Sequence, residues 1–221
     1  GAASQPASLR NFGYGTSASP SAVIHFLQTS QVCLGEQSVW QDIKLAPAGT
    51  ITTLTAESGN QLHWNNGNES RPTPREGGVQ PTQLRYLLGE AVYRQSRADT
   101  PVGVFLSGGL DSSLISALLA SSRRETIQTF AVALDGDSAD IESARLVARH
   151  IKSDHTEVGL TTEDFFSGMR ELTSQRALPV SLPNEVLIYR LSQTAKQKVK
   201  AVLSGEGADE LFGGYQRLQA R

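Results

Sequence analysis

Residues 101–106 (PVGVFL) run directly into Ser107-Gly108-Gly109-Leu110-Asp111-Ser112-Ser113, and no other junction in the chain restricts the fold as much. A short unbroken apolar run has no polar side to turn to water, so it reads as a strand buried on both faces, as in parallel sheets. Two glycines then permit a sharp backbone turn, and helical spacing resumes over about residues 112–122. A strand, a turn and a helix start in that order leave unpaired amide N–H groups and the positive end of a helix dipole above the strand end. With three serine hydroxyls beside them, these groups suit a phosphate or pyrophosphate. Asp111 would repel a bare phosphate, and its place here makes sense if a divalent cation bridges it to the anion. No Lys follows the glycines and no G-x-G-x-x-G occurs, so the loop is neither a Walker A loop nor a dinucleotide fingerprint.

Downstream, apolar runs alternate with helical patterns. We expect a strand over 126–134, a helix over 139–151 and a short strand near 156–158. Two helices flanking Pro179 and Pro183 should follow, then a last strand over 199–203. This alternation predicts a doubly wound parallel α/β sheet, with ligand outside the C-terminal strand ends. Residues 204–215 (SGEGADELFGGY) follow the last strand and carry three acids and four glycines. Acids are favoured at any helix start. At a second strand end of the same sheet, however, they would face the crevice that Asp111 faces, and could complete its cation site.

Upstream, residues 1–22 are rich in Ala, Ser, Gly and Pro and read as loop or partly disordered chain, with a short helix over 22–28. Residues 50–55 alternate and are β-branched, 57–60 suit a turn and 61–64 can return, which predicts a hairpin. Residues 65–81 keep no periodicity and read as a linker. A helix then runs over 82–97 with Leu84, Leu87, Leu88, Ala91 and Val92 on one side. A net charge of −2 exerts no global pull toward nucleic acid or anionic membrane. No apolar run approaches the roughly 20 residues of a membrane span, and no signal-peptide pattern opens the chain. The single Cys33 rules out an intrachain disulfide, reads as a small buried hydrophobe, and fits a cytoplasmic setting. His150 and His155, five apart, do not make a metal pair, and Trp40 and Trp64 read as packing aromatics. The chain starts at Gly1, and its one Met is Met169, so a fragment of a longer protein is expected.

SGGLDSS after an apolar strand resembles the pyrophosphate loop of ATP-pyrophosphatases, proteins of the adenine nucleotide alpha hydrolase-like fold that cleave ATP between its α and β phosphates. Taken together, VGVFLSGGLDSS and SGEGADELFGGY resemble the glutamine-hydrolysing asparagine synthetases, over about residues 20–221 and most closely over 99–215. Residues 39–49 and Trp64 look like the end of that family's glutaminase domain. The resemblance implies a β-rich remnant of an N-terminal-nucleophile glutaminase domain over 1–68, a linker over 69–81 and a truncated ATP-binding synthetase domain over 82–221. It implies that Ser107, Gly108, Gly109, Asp111, Ser112 and Ser113 bind the pyrophosphate of ATP. Leu106, Val132, Ser204 and Gly205 would contact adenosine, largely through backbone. Asp111 and Asp209 would hold Mg²⁺, and Glu206 would serve at the acyl-adenylate as acid/base or ammonia-orienting group. The implied substrates are ATP, aspartate and ammonia from glutamine, and a homodimer of the full-length protein is compatible with the resemblance. The family's glutaminase nucleophile, an N-terminal Cys, is not in this chain. Two other readings stay open: a β-lactam synthetase or peptide-cyclising relative acting on another carboxylate, and an inactive nucleotide-binding module.

Overall fold

The computed structural model describes residues 2–32, 35–47, 50–54, 59–63, 80–135 and 139–215. Cys33, Trp64, Glu57 and Ser58 of the expected turn, and residues 65–79 of the expected linker lie outside them. The chain divides into two compact units, residues 1–78 with 169–186 and residues 79–168 with 187–221.

In the first unit, part of the segment expected to be loop is helical: α1 (Pro6–Arg10) opens on Pro6, whose fixed φ and missing N–H suit a first helical position. α2 (Pro20–Thr29) is entered the same way, and the Ser19 side chain accepts from the Ala22 amide at 3.4 Å. The expected hairpin forms from β1 (Thr50–Leu54) and β2 (Gly59–His63), antiparallel with Thr50 opposite His63. Gly59 and Asn60, expected in the turn, pair with Leu54 and Thr53, so the strand starts earlier. Trp40 acts as a packing aromatic. Its indole N–H donates to the Ala177 carbonyl at 2.7 Å and the Arg10 guanidinium lies 5.2 Å from its ring centre. That hydrogen bond ties residues distant in sequence into one unit. Ser38 is fully buried and donates to the Ile43 carbonyl at 2.7 Å, which satisfies a hydroxyl that burial would otherwise penalise.

The second unit carries α3 (Pro81–Gln95), β3 (Val102–Phe105), α4 (Leu110–Ser122), β4 (Gln128–Leu134), α5 (Ala139–Ile151), β5 (Asp154–Leu160), β6 (Ala201–Leu203) and α8 (Ala208–Phe212). α6 (Thr162–Arg176) and α7 (Pro183–Ala195) contribute residues to both units. The four strands form a parallel sheet in the order β5-β4-β3-β6. Period-two alternation sends neighbouring residues to opposite faces. On one face Val104 packs with Val92 of α3 and Leu119 of α4, while Leu106 and Ala131 pack with Ala144 and Ala148 of α5. On the other, Phe130 packs with Leu191 and Ala195 of α7. Helices therefore cover both faces, as a doubly wound sheet requires, and β3 is an apolar run because neither side meets water. Gly103 sits in β3 for packing: a Cβ there would come 2.8 Å from the Phe130 ring. β5 is longer than the strand expected at 156–158, because it pairs along the whole of β4.

Thr129 is fully buried in β4, and its hydroxyl lies 2.8 Å from Ser153 Oγ and 2.9 Å from His155 Nδ1. Burial pushes the His155 pKa below its ordinary 6.5, and repulsion from Arg145 adds to this against the opposing pull of Glu157 and Asp154. The folded protein thus binds a proton at His155 less readily than the unfolded chain, so stability is lost as pH falls below the ordinary histidine value. Urea unfolding should show stability rising from about pH 5.5 to 7.5, by at most about 1.4 kcal/mol per pH unit from this one group. His155→Gln should flatten that rise, and an unchanged slope would remove His155 as its source.

Candidate functional site

β3 has β4 on one side and β6 on the other, so the winding of the sheet reverses between β3 and β6. A crevice opens at the C-terminal ends of such a pair. Both motifs lie there, one after β3 and one after β6.

Leu106 leaves β3 with its amide donating to the Phe130 carbonyl at 2.8 Å and its side chain 1% exposed in the core. Only its backbone can face a ligand. Gly108 follows with φ +83°, and a Cβ there would come 2.5 Å from the Asp140 carbonyl oxygen, 2.7 Å from the Ala144 amide nitrogen and 2.7 Å from Ser143 Cβ. The loop is thus seated directly on the first turns of α5. Gly109 caps α4 in extended conformation with no side-chain cap, which leaves the helix N-terminus open. Asp111, in that first turn, is half-buried. Ser112 Oγ lies 3.2 Å from the Ser107 amide and 2.9 Å from Ser107 Oγ. Ser113 Oγ, by contrast, is buried and has no hydrogen-bond partner among the described residues.

Beyond β6, Gly205 rests on the same helical turn: a Cβ on it would lie 3.0 Å from Asp111 Cβ and 3.1 Å from the Ser112 amide nitrogen. Ser204 accepts from the Glu206 amide at 3.4 Å, and Glu206 is exposed. Gly207 (φ +88°) starts α8 and Gly213 (φ +69°) ends it. The Asp209 carbonyl accepts from the Gly213 and Gly214 amides at 2.8 and 3.2 Å, and its carboxylate lies against Gly214. Glu210 is held by the Tyr215 hydroxyl at 2.5 Å, which keeps its carboxyl below the usual range. Among the described residues no group of three or more His, Cys, Asp or Glu is arranged to hold a metal. A cation shared by Asp111 and Asp209 would therefore draw its remaining ligands from phosphate oxygens and water.

The structure brings Ser107, Gly108, Gly109, Asp111, Ser112 and Ser113 onto one loop and helix turn, with Gly205 in contact. Val132 lies on β4, half-buried and packed against the Phe130 cluster on the α7 face. Sequence reasoning missed the start of α5 as the seat of the loop. Small Ser143 and Ala144 on its buried side were the available signal. A cavity of about 640 Å³ opens elsewhere, at the N-terminal strand edge beside Asp99, Arg123, Glu125 and Lys198, and none of residues 107–113 or 204–215 lines it.

An open helix N-terminus behind a glycine–serine loop, at the switch point of a doubly wound parallel sheet, places this unit in the class of α/β domains built around an anion cradle. The asparagine synthase family pattern (Asn_synthase) matches residues 83–221, and the chain belongs to that family. It is 36% identical over 153 residues to asparagine synthetase B [glutamine-hydrolyzing] of Escherichia coli strain K12, covering 60% of this chain and 27% of that protein. It is 30% identical over 190 residues to the asparagine synthetase [glutamine-hydrolyzing] of Asparagus officinalis, covering 79% and 31%. The chain thus spans roughly a quarter to a third of the length of these relatives. Among solved structures, an NH3-dependent NAD synthetase from Campylobacter jejuni is similar, with a TM-score of 0.46 and 18% identity, covering 62% of this chain and 61% of that one. No described helix is long and apolar enough to cross a membrane.

Proposed function

We propose that this chain supplies the ATP-handling part of a glutamine-hydrolysing asparagine synthetase. The observation that carries the reading is the contact of Gly205 with the first turn of α4, which joins the two family motifs into one site at the switch point. In the proposed reaction the side-chain carboxylate of aspartate attacks the α-phosphorus of ATP, pyrophosphate leaves, and ammonia from glutamine displaces AMP from the acyl-adenylate. The open N-terminus of α4 and the glycine loop bind the pyrophosphate portion through amide N–H groups, which favours charge developing on the leaving group. Leu106, Val132, Ser204 and Gly205 border the adenosine. Asp111 and Asp209 would hold a divalent cation, Mg²⁺, which would supply charge neutralisation for the phosphates. Glu206, exposed just past the Gly205 contact, takes a proton from the attacking ammonia.

Isotope exchange between labelled pyrophosphate and ATP in the presence of Mg²⁺ tests this reading. Exchange that depends on aspartate is the expected result. Exchange driven by a different carboxylate would move the protein to another amide-forming substrate, and none with any carboxylate would overturn adenylation. Glu206→Gln should leave that exchange within about twofold of wild type and slow ammonia-dependent asparagine formation by about 10²-fold or more. Equal rates of asparagine formation would take Glu206 out of the mechanism.

A further inference from the structure

We propose that the turn between α5 and β5 is an anion site separate from the glycine–serine loop, built for a tetrahedral dianion of the sulfate or phosphate class. A cavity of about 180 Å³ opens there, lined by Arg145, Ala148, Arg149, Lys152, Ser153 and His155. All six residues belong to the second unit, and no acidic side chain is among them. Arg145 is committed within the protein: its guanidinium donates to Glu157 at 2.7 and 2.8 Å and to Glu142 at 2.8 Å. Arg149 and Lys152 are exposed, and their side chains have no partner among the described residues. The cations of the larger cavity, by contrast, are engaged, Lys198 by Asp154 and Thr156 and Arg123 by the Ser96 carbonyl.

The backbone brings the two free cations together. Lys152 takes φ +55°, and its amide donates to the Arg149 carbonyl at 3.3 Å, while the Ser153 amide donates to the Ala148 carbonyl at 3.1 Å. These bonds cap the end of α5. Bases in a last helical turn are ordinarily accounted for by the helix dipole. The dipole accounts neither for a cavity of one charge sign nor for the imidazole in its wall. The His155 side chain is 12% exposed, and its Nε2 is buried with no hydrogen-bond partner among the described residues. The charged groups facing that ring are Glu157, with Oε1 3.7 Å from Nε2, Asp154 and Arg145, while β4 offers the neutral Thr129 hydroxyl. His150 is exposed on α5 and does not line the cavity. A dianion would meet Arg149 and Lys152 as charge-assisted donors. It would also add negative charge beside a ring that burial now keeps neutral, so binding should take up a proton at His155 and be tighter at low pH. The site uses neither family motif and does not depend on the proposed function.

The test follows the His155 ring proton of this chain by NMR against pH, in chloride and in sulfate at matched ionic strength, with the signal assigned by its loss in His155→Gln. Sulfate should raise the His155 midpoint by about half a pH unit or more. Calorimetry should find sulfate bound about tenfold or more weakly in the Arg149→Gln, Lys152→Asn double variant. Asparagine tolerates the left-handed backbone at 152, so the turn is kept. Lys196→Gln, which removes an exposed cation outside the cavity, should leave the affinity within about twofold. Inorganic phosphate and glycerol phosphate then compete with sulfate. Tighter binding of the monoester would assign the site to a phosphoryl group on a larger molecule, and equal binding would assign it to the free ion. An unmoved His155 midpoint would overturn the proposal. So would unchanged sulfate affinity in the double variant, which would place the anion elsewhere, such as on the glycine–serine loop. Equal weakening in Lys196→Gln would reduce the effect to general charge screening and overturn it as well.

Discussion

Gly108→Val is expected to destabilise the protein by about 3 kcal/mol or more, while Gly109→Ala, one residue on, should cost less than about 1 kcal/mol. Two penalties add at 108. The backbone sits at φ +83°, where a β-branched residue is strained, and the new Cβ meets the backbone of Asp140 and Ala144 at 2.5 and 2.7 Å. Neither neighbour can give easily, because both atoms belong to the first turns of α5, and Ala144 is fully buried. At 109 the backbone is in an ordinary extended conformation, and the nearest contact is Ser107 Oγ at 3.4 Å. Urea unfolding at fixed pH measures both. A loss below about 1 kcal/mol for Gly108→Val would mean that the loop is not seated on α5. The motif alone suggests that Gly108 is small so that its backbone can approach a phosphate. The structure adds a packing reason that operates with no ligand present.

Asp111→Asn is expected to separate activity from stability. If the proposed cation site is correct, Mg²⁺-dependent pyrophosphate exchange should fall by about 10²-fold or more, since a metal-holding charge is lost from a charge-neutralising site. Stability should fall by only about 0.3–1 kcal/mol, the usual value of an acidic side chain in a first helical turn. The amide keeps the shape of the side chain, so the contact between Gly205 and the first turn of α4 is preserved. Wild-type exchange in the variant, across a magnesium titration, would exclude Asp111 as a metal ligand.

Much of the second unit was legible because its signals are local. The apolar run before the glycines marks β3, and the periodicity of residues 139–151 marks α5 with the bounds observed. α1 was not legible, because Pro6–Arg10 is too short and polar to show a periodicity, and its helical start depends on Pro6 alone. Nor was the membership of residues 169–186 in the first unit, which rests on contacts such as Trp40 with Ala177, 137 positions apart. At the site, the residue types of both motifs were readable. The contact that joins the motifs was not, because Gly205 meets the first turn of α4 only through the pairing of β6 with β3, about a hundred residues apart in the chain.

The strand order also governs how this sheet is assembled in time. β3 and β4 are joined by one helix and can pair early, but the other edge of β3 pairs with Ala201–Leu203, about a hundred residues later in the chain. Until that segment is made, β3 presents open backbone groups along one side, a template for pairing with another chain. Closing that edge requires a long-range contact, which costs loop entropy and slows folding. The same three-residue strand brings Ser204 and Gly205 into place, so the step that covers the open edge of β3 also completes the candidate site.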